Sequence, residues 1–352
     1  MARSAASARL RQRIADTCES VADARTLRLR ILEDIRTAIG FDAYAWLLTD
    51  PQTSVGSAPL AEVPCLPELP PLIRLKYLTE VNRWTTLRRN PVALLQEATA
   101  GDPSRSLLWR GLLSRYGVTD MASVVFRDRF GCWGFLDLWR SGSSAPFGSA
   151  DAALLADIAV PVTTAQRRSQ ARAFTAHSPG PAPGPGPVVL LLSPDLDVLR
   201  QTPQTDQYLR LLVPPEGGLP PIPASCYNVA AQLLAVEAGL DPEPPWARVH
   251  LPAGPWLTLR AARIGGAAPG QEPDIAVTIE AAAPSERVDL FAQAFGFSAR
   301  EHELLSHLAT GTRELARLMF LSEHTVQDHL KSIFAKTSAH TRRTLLSRAL
   351  GS

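Results

Sequence analysis

Residues 298–352 read SAREHELLSHLATGTRELARLMFLSEHTVQDHLKSIFAKTSAHTRRTLLSRALGS. Apolar residues recur there at helical spacing in four groups: Leu304, Leu305 and Leu308; Leu315, Leu318 and Met319; Val326, Leu330, Ile333, Phe334 and Thr337; Leu345, Leu346 and Ala349. The pattern predicts four short helices around one small core. Ser298 with Glu301 has the spacing of a capping box, and Ser322 and Thr341 are placed to accept from the open N–H groups of the helices they precede. Gly311 reads as the stop of the first helix. Only Phe320, Leu321 and Ser322 separate the second and third helices, so those two must cross steeply.

That crossing is the geometry of a helix-turn-helix. On the third helix the face opposite the apolar stripe carries His324, Asp328, Lys331 and Ala335, flanked by Gln327 and Ser332. Short polar and amide side chains with one lysine suit a helix pressed into the major groove, where Gln pairs with adenine and Lys reaches guanine or phosphate. Arg300, Arg313, Arg317, Lys336, Arg342, Arg343 and Arg348 add positive charge around it, the sign a polyanion requires.

The run Ser298, Arg300, Glu301, Glu303, Leu304, Leu305, Gly311, Leu315-Ala316, then Leu321 through Leu330, then Ile333 to Lys336, resembles the LuxR-type helix-turn-helix domain of bacterial transcription regulators. The resemblance implies that the helix beginning near Ser322 is the recognition helix. It makes Gln327, Asp328 and Lys331 base-reading candidates, and Thr325, Lys336 and Arg342 candidates for contact with the DNA backbone. It also implies that the last helix dimerises, and its face of Leu345, Leu346 and Ala349 is large for so small a domain to leave exposed. Between Gly311 and Leu315 the chain is two residues shorter than the usual pattern, so the first turn of the second helix is expected to be re-formed. The helix-turn-helix of a sigma factor is the nearest competing reading, but nothing upstream resembles a second promoter-binding region.

The 352 residues suggest two or three domains; 45% are apolar and 20% charged, an ordinary globular composition. A net charge of +2 does not itself argue for nucleic acid, so the case rests on where the charges lie. The four cysteines, Cys18, Cys65, Cys132 and Cys226, form no C-x-x-C pair, and no signal-like or membrane-length apolar run is present, which suggests a reduced, cytoplasmic setting away from membranes.

Residues 1–177 open with amphipathic helices ending near Gly40. A strand at 43–48, helices at 72–84 and 104–116, and strands at 121–126 and 132–139 joined as a hairpin follow. A helix from Ser149 to about Arg172 closes the segment, expected to kink or break at Pro161. This order resembles a GAF domain, which implies a small-molecule effector site between sheet and helices. Trp46, Trp84, Trp109, Trp133 and Trp139 are candidates for lining it.

The stretch Ser178 to Pro187, all but entirely proline and glycine, reads as an extended linker. Beyond it come a strand at 188–192, helices at 204–212 and 227–237, and strands at 247–251, 256–263 and 275–280. Their order resembles a PAS domain and lies within residues 188–284. Residues 285–297 read as a connecting helix. The expected architecture is therefore multidomain α+β, with GAF-like and PAS-like antiparallel-sheet sensor domains followed by an all-α four-helix domain at 298–352.

No G-x-S-x-G, phosphate loop, H-E-x-x-H or His/Cys cluster is present, and five of the histidines fall in the C-terminal segment, so no catalytic or metal site and no cofactor are expected. The sequence reads as a DNA-binding transcriptional regulator answering to an effector through its sensor domains. Double-stranded DNA is its partner, with a homodimer as the binding form and RNA polymerase admitted as a further contact. An adaptor working through protein–protein contacts and an enzyme are the alternatives.

Overall fold

The computed structural model describes residues 2–175, 188–212, 221–251, 254–265, 272–308 and 310–351. The Pro/Gly linker lies outside these residues.

The first unit runs α1 (Ala2–Ser20), α2 (Ala24–Ile39), β1 (Ala43–Thr49), β2 (Gly56–Glu62), α3 (Leu69–Leu78), β3 (Val92–Leu94), α4 (Leu95–Ala98), α5 (Leu107–Gly111), β4 (Val118–Asp128), β5 (Gly131–Ser141) and α6 (Ser149–Ala173). Its antiparallel sheet has the order β2-β1-β5-β4-β3. One face packs on α1, α2 and α6 through Ile14, Ile31, Trp46, Phe126, Leu155 and Ile158. Asp23 caps α2, accepting from the Thr26 N–H at 2.7 Å.

Three expectations are corrected here. The helix expected at 72–84 ends at Leu78, and the one expected at 104–116 shrinks to α5 between short 3₁₀ turns. The closing helix does not break at Pro161 but runs unbroken from Ser149 to Ala173. Buried residues on both sides of the proline, Leu155, Ile158, Val162 and Ala165, hold the helix to the sheet. The carbonyl that Pro161 leaves free belongs to exposed Asp157, where water can satisfy it. The β4–β5 hairpin is also tighter than expected, with only Arg129 and Phe130 between strands. Its Gly131 has φ +145° and would place a Cβ 2.4 Å from the Pro51 carbonyl oxygen, so no other residue fits.

The second unit runs β6 (Val188–Leu192), β7 (Val198–Gln201), α7 (Thr205–Leu212), α8 (Ala224–Glu237), β8 (Trp246–His250), β9 (Trp256–Ile264) and β10 (Asp274–Ala281). Its antiparallel order, β7-β6-β10-β9-β8, repeats the circuit of the first sheet. α8 is buried nearly all round because the second sheet lies on one side and α3 and β2 of the first unit on the other. The two units thus share one core, in which Leu47, Val55, Tyr77 and Phe135 join Cys226, Val229, Leu259 and Val277.

Two ion pairs cross this seam out of reach of water. Arg83 meets Asp241 at 2.8 Å, both side chains 1% exposed, and Arg248 meets Asp50 at 2.7 Å. A cavity of about 350 Å³ opens nearby, walled by β1, β2, α3, β5 and the start of α8, with Trp139 among its lining residues. Of the other candidate tryptophans, Trp46 stacks on Phe126 on the opposite face of the sheet and Trp84 on Phe135.

Next comes α9 (Pro284–Ala294), with Pro284 at a position where a missing N–H costs nothing. Glu286 accepts from the Thr258 hydroxyl and from Arg260, while its own carbonyl accepts from Arg248 at 2.7 Å. Phe291 sits 5.2 Å from Phe174, which stacks on Trp256 at 4.9 Å. Among the described residues no helix is long and apolar enough to cross a membrane.

Candidate nucleic-acid interface

Four helices end the chain: α10 (Ala299–Ser306), α11 (Thr312–Leu318), α12 (Glu323–Thr337) and α13 (Arg342–Leu350). Ser298 Oγ accepts from the Glu301 N–H and Glu301 accepts back from the Ser298 N–H at 2.6 Å; Ser322 and Thr341 cap α12 and α13. Gly311 does not end α10, which stops at Ser306. It caps the start of α11, whose first turn is regular, with the Leu315 N–H donating to the Gly311 carbonyl at 2.9 Å. Phe320 ends α11 in the left-handed region at φ 55°, lets the Leu321 N–H return to the Ala316 carbonyl, and points fully into solvent.

Leu304, Leu315, Val326, Ile333, Leu345 and Ala349 are fully buried together, as their spacing predicts, whereas Leu318 is half exposed on the outer side of α11. This packing turns the polar side of α12 outward. Gln327 is exposed and its side chain makes no hydrogen bond among the described residues. Lys331 reaches Asp328 at 3.2 Å, and His324 lies 3.5 Å from the same carboxylate; all three side chains are more than half exposed. Such exposed pairs are worth little, so a phosphate or a base edge can replace either partner at small cost. Thr325 lies at the start of the helix with its hydroxyl 2.8 Å from Ser322 Oγ.

Lys336 and Arg342 are tied to other parts of the domain. The Lys336 ammonium donates to Glu301 at 2.6 Å and to the Gly296 carbonyl at 3.1 Å. Arg342 donates to the Thr310 carbonyl at 2.9 Å and to the Thr312 hydroxyl at 2.5 Å, tying α13 to the α10–α11 connection. Arg313 and Arg343 are exposed cations of this domain whose side chains have no such ties among the described residues. Sequence reasoning grouped them with the surrounding positives without singling them out, because charge counting does not tell a tied guanidinium from a free one.

Glu301 does more than its capping spacing signals. Buried at the α10–α12 contact, it also accepts from the Ser332 hydroxyl at 2.6 Å. Burial works against its charge, but hydrogen bonds from Lys336, Ser332 and the Ser298 N–H, with the Lys336 charge, outweigh it and bring the carboxyl down to about 2. A carboxyl held below its unfolded value of 4.5 contributes stability that is present above pH 4.5 and is lost as pH falls toward 2. The Glu301→Gln variant should therefore be weaker at pH 7 by roughly 2–4 kcal/mol and lack this acid-side slope. Urea midpoints across pH 7 to 3 measure it, and parallel curves for the two proteins would refute it.

Residues 296–349 match the bacterial regulatory proteins, luxR family. The C-terminal segment is a LuxR-family helix-turn-helix domain. A domain of this family indicates a DNA-binding transcription regulator. No curated protein matches the chain. In this LuxR-family domain the apolar face of α13 is not open: Leu345 and Ala349 are fully buried, Leu346 partly, and α13 packs chiefly on α9. Arg287 of α9 donates to the Ala349 and Arg348 carbonyls, where a cation also suits the negative end of the helix. The excess of exposed apolar surface expected on α13 is thus taken up within the chain.

Proposed function

We propose that the protein regulates transcription by reading duplex DNA with α12 in response to a small molecule held in its first unit. The observation that carries the DNA-reading part is the outward face of α12, where Gln327, Asp328 and Lys331 stand uncovered by any other described part of the chain. Base edges are assigned to these three and the backbone to Thr325, Arg313 and Arg343. Lys336 and Arg342 are assigned to holding the domain together. The responsive part is supported by the cavity beside the first sheet and by the continuous packing from both units through α9 into the LuxR-family domain.

Titration of duplex DNA at several salt concentrations tests the reading, because each phosphate neutralised adds ~0.9 to the slope of log affinity against log salt. Arg343→Ala should lower that slope by about one. Gln327→Ala should cost ~1–3 kcal/mol on the preferred sequence and little elsewhere. A salt-independent association, or sequence preference unchanged in folded Gln327→Ala, would point to an adaptor instead. A homodimer belongs to the same proposal and predicts two copies on an inverted repeat with half-sites ~34 Å apart. With α9 over α13, the copies must meet through another face or after α9 shifts.

A further inference from the structure

The cavity is shared between the two units. Leu72, Phe135 and Trp139 wall it from the first, and Ile222, Ala224 and Asn228 close it from the second, at the start of α8. Its size lies at the lower end of the ~300–1,000 Å³ of small-molecule sites.

Lys76 and Asp137 also reach it, but they meet each other at 2.7 Å with both side chains under a tenth exposed, and Asp137 accepts further from the Ser123 hydroxyl at 2.6 Å. These two charges cancel inside the wall, and the third charged lining residue, Arg25, is exposed, so an ionic group placed deep in the cavity would have to break a buried pair to gain a partner. What remains unspent is donor capacity. Among the described residues the indole N–H of Trp139, on a ring 1% exposed, has no acceptor, and the Tyr77 hydroxyl accepts from the Gly56 N–H at 2.9 Å while its own proton has no acceptor there. A buried donor gains most from an acceptor that arrives without charge.

We propose that this cavity binds an uncharged, largely apolar small molecule bearing a carbonyl-type acceptor, and that α8 of the second unit forms its closing wall. This deepens the effector reading above and rests on it. The second unit then contributes to the first unit's site, and occupancy bears directly on the seam that Arg83–Asp241 and Arg248–Asp50 hold shut.

Prodan, an uncharged naphthalene ketone whose emission moves to the blue in apolar surroundings, is the probe, titrated into the full chain. Saturable one-to-one binding with a blue shift is expected. Trp139→Phe, which removes only the donor, should weaken it about tenfold, and Ala224→Phe, which fills the wall, by more. Because Ala224→Phe risks misfolding, Ile222→Ala at the half-exposed rim serves as the second probe of the α8 wall and should also weaken binding. Saturable binding indifferent to Ile222→Ala and Trp139→Phe in folded protein would overturn the assignment, as would no saturable binding. Tighter binding of an anionic naphthalene sulfonate dye than of prodan would overturn its uncharged character. DNA titrated into the same samples separates the two readings. Prodan bound with DNA affinity unchanged at saturation would support the site and overturn the effector reading, whereas DNA binding intact with no prodan bound would overturn the site alone.

Discussion

Replacing Arg248 by methionine is expected to destabilise the chain by about 3–5 kcal/mol, because it leaves a carboxylate stranded in the interior. Asp50 is fully buried in the β1–β2 loop, and Arg248 grips it from β8 through Nε at 2.7 Å, Nη2 at 2.9 Å and its own backbone N–H at 3.0 Å. Methionine fills much of the aliphatic space but its side chain donates to neither carboxylate oxygen, which leaves Asp50 with only the backbone N–H groups of residue 248, Gln52 and Thr53. The loss should appear as a lowered urea midpoint, and the double replacement Asp50→Leu with Arg248→Met should recover part of it, since removing both charges is far cheaper than removing one. A change under 1 kcal/mol in the single variant would mean that water reaches Asp50. The same arginine holds the Glu286 carbonyl in the first turn of α9, so the variant should also loosen the entry of that helix.

Phe291→Ala should cost a similar ~3–5 kcal/mol, with a different distribution. Phe291 is fully buried where four parts of the chain meet: Phe174 at the end of α6, Trp256 at the start of β9, Phe295 beyond α9, and Phe297 at the door of the LuxR-family domain. A cavity at that point removes the filling that joins them. Calorimetry should show one transition in the native chain and two in the variant, the LuxR-family domain melting apart from the rest. A single transition shifted by less than about 2 °C would show that the joint does not depend on this ring.

The sequence exposed the central strands and the four C-terminal helices because each is patterned by what it buries. β1, β4, β5, β6, β9 and β10 carry runs of apolar residues, and α12 keeps Val326, Leu330 and Ile333 on one side. The strands that escaped notice, β2, β3 and β7, all lie at the edges of their sheets. β7 is exposed at every residue and β2 contains Pro59, so neither shows the alternation that marks a half-buried strand. Pro161 misled for the opposite reason. A local rule predicted a kink or a break where packing on both sides of the residue keeps the helix unbroken. In the C-terminal domain α12 was legible and Gln327 and Lys331 fell outward, but the turn of Lys336 toward Glu301 was not. That turn depends on Glu301, thirty-five positions earlier, and on the Gly296 carbonyl, which periodicity within one helix cannot see.

The aromatic joint around Phe291 also sets limits on recombination. Regulators with a terminal DNA-binding module invite exchange of that module between chains by cutting at the first helix. Here a cut before Ser298 would strip α9 of its packing against α10 and α13, and a cut before Pro284 would bare Phe174 on one product and Phe291 of α9 on the other. Either graft would trade a dry contact for a greasy scar on both pieces. A working chimera would have to bring matched partners for Phe174, so this module can be transplanted only together with the surface it leans on.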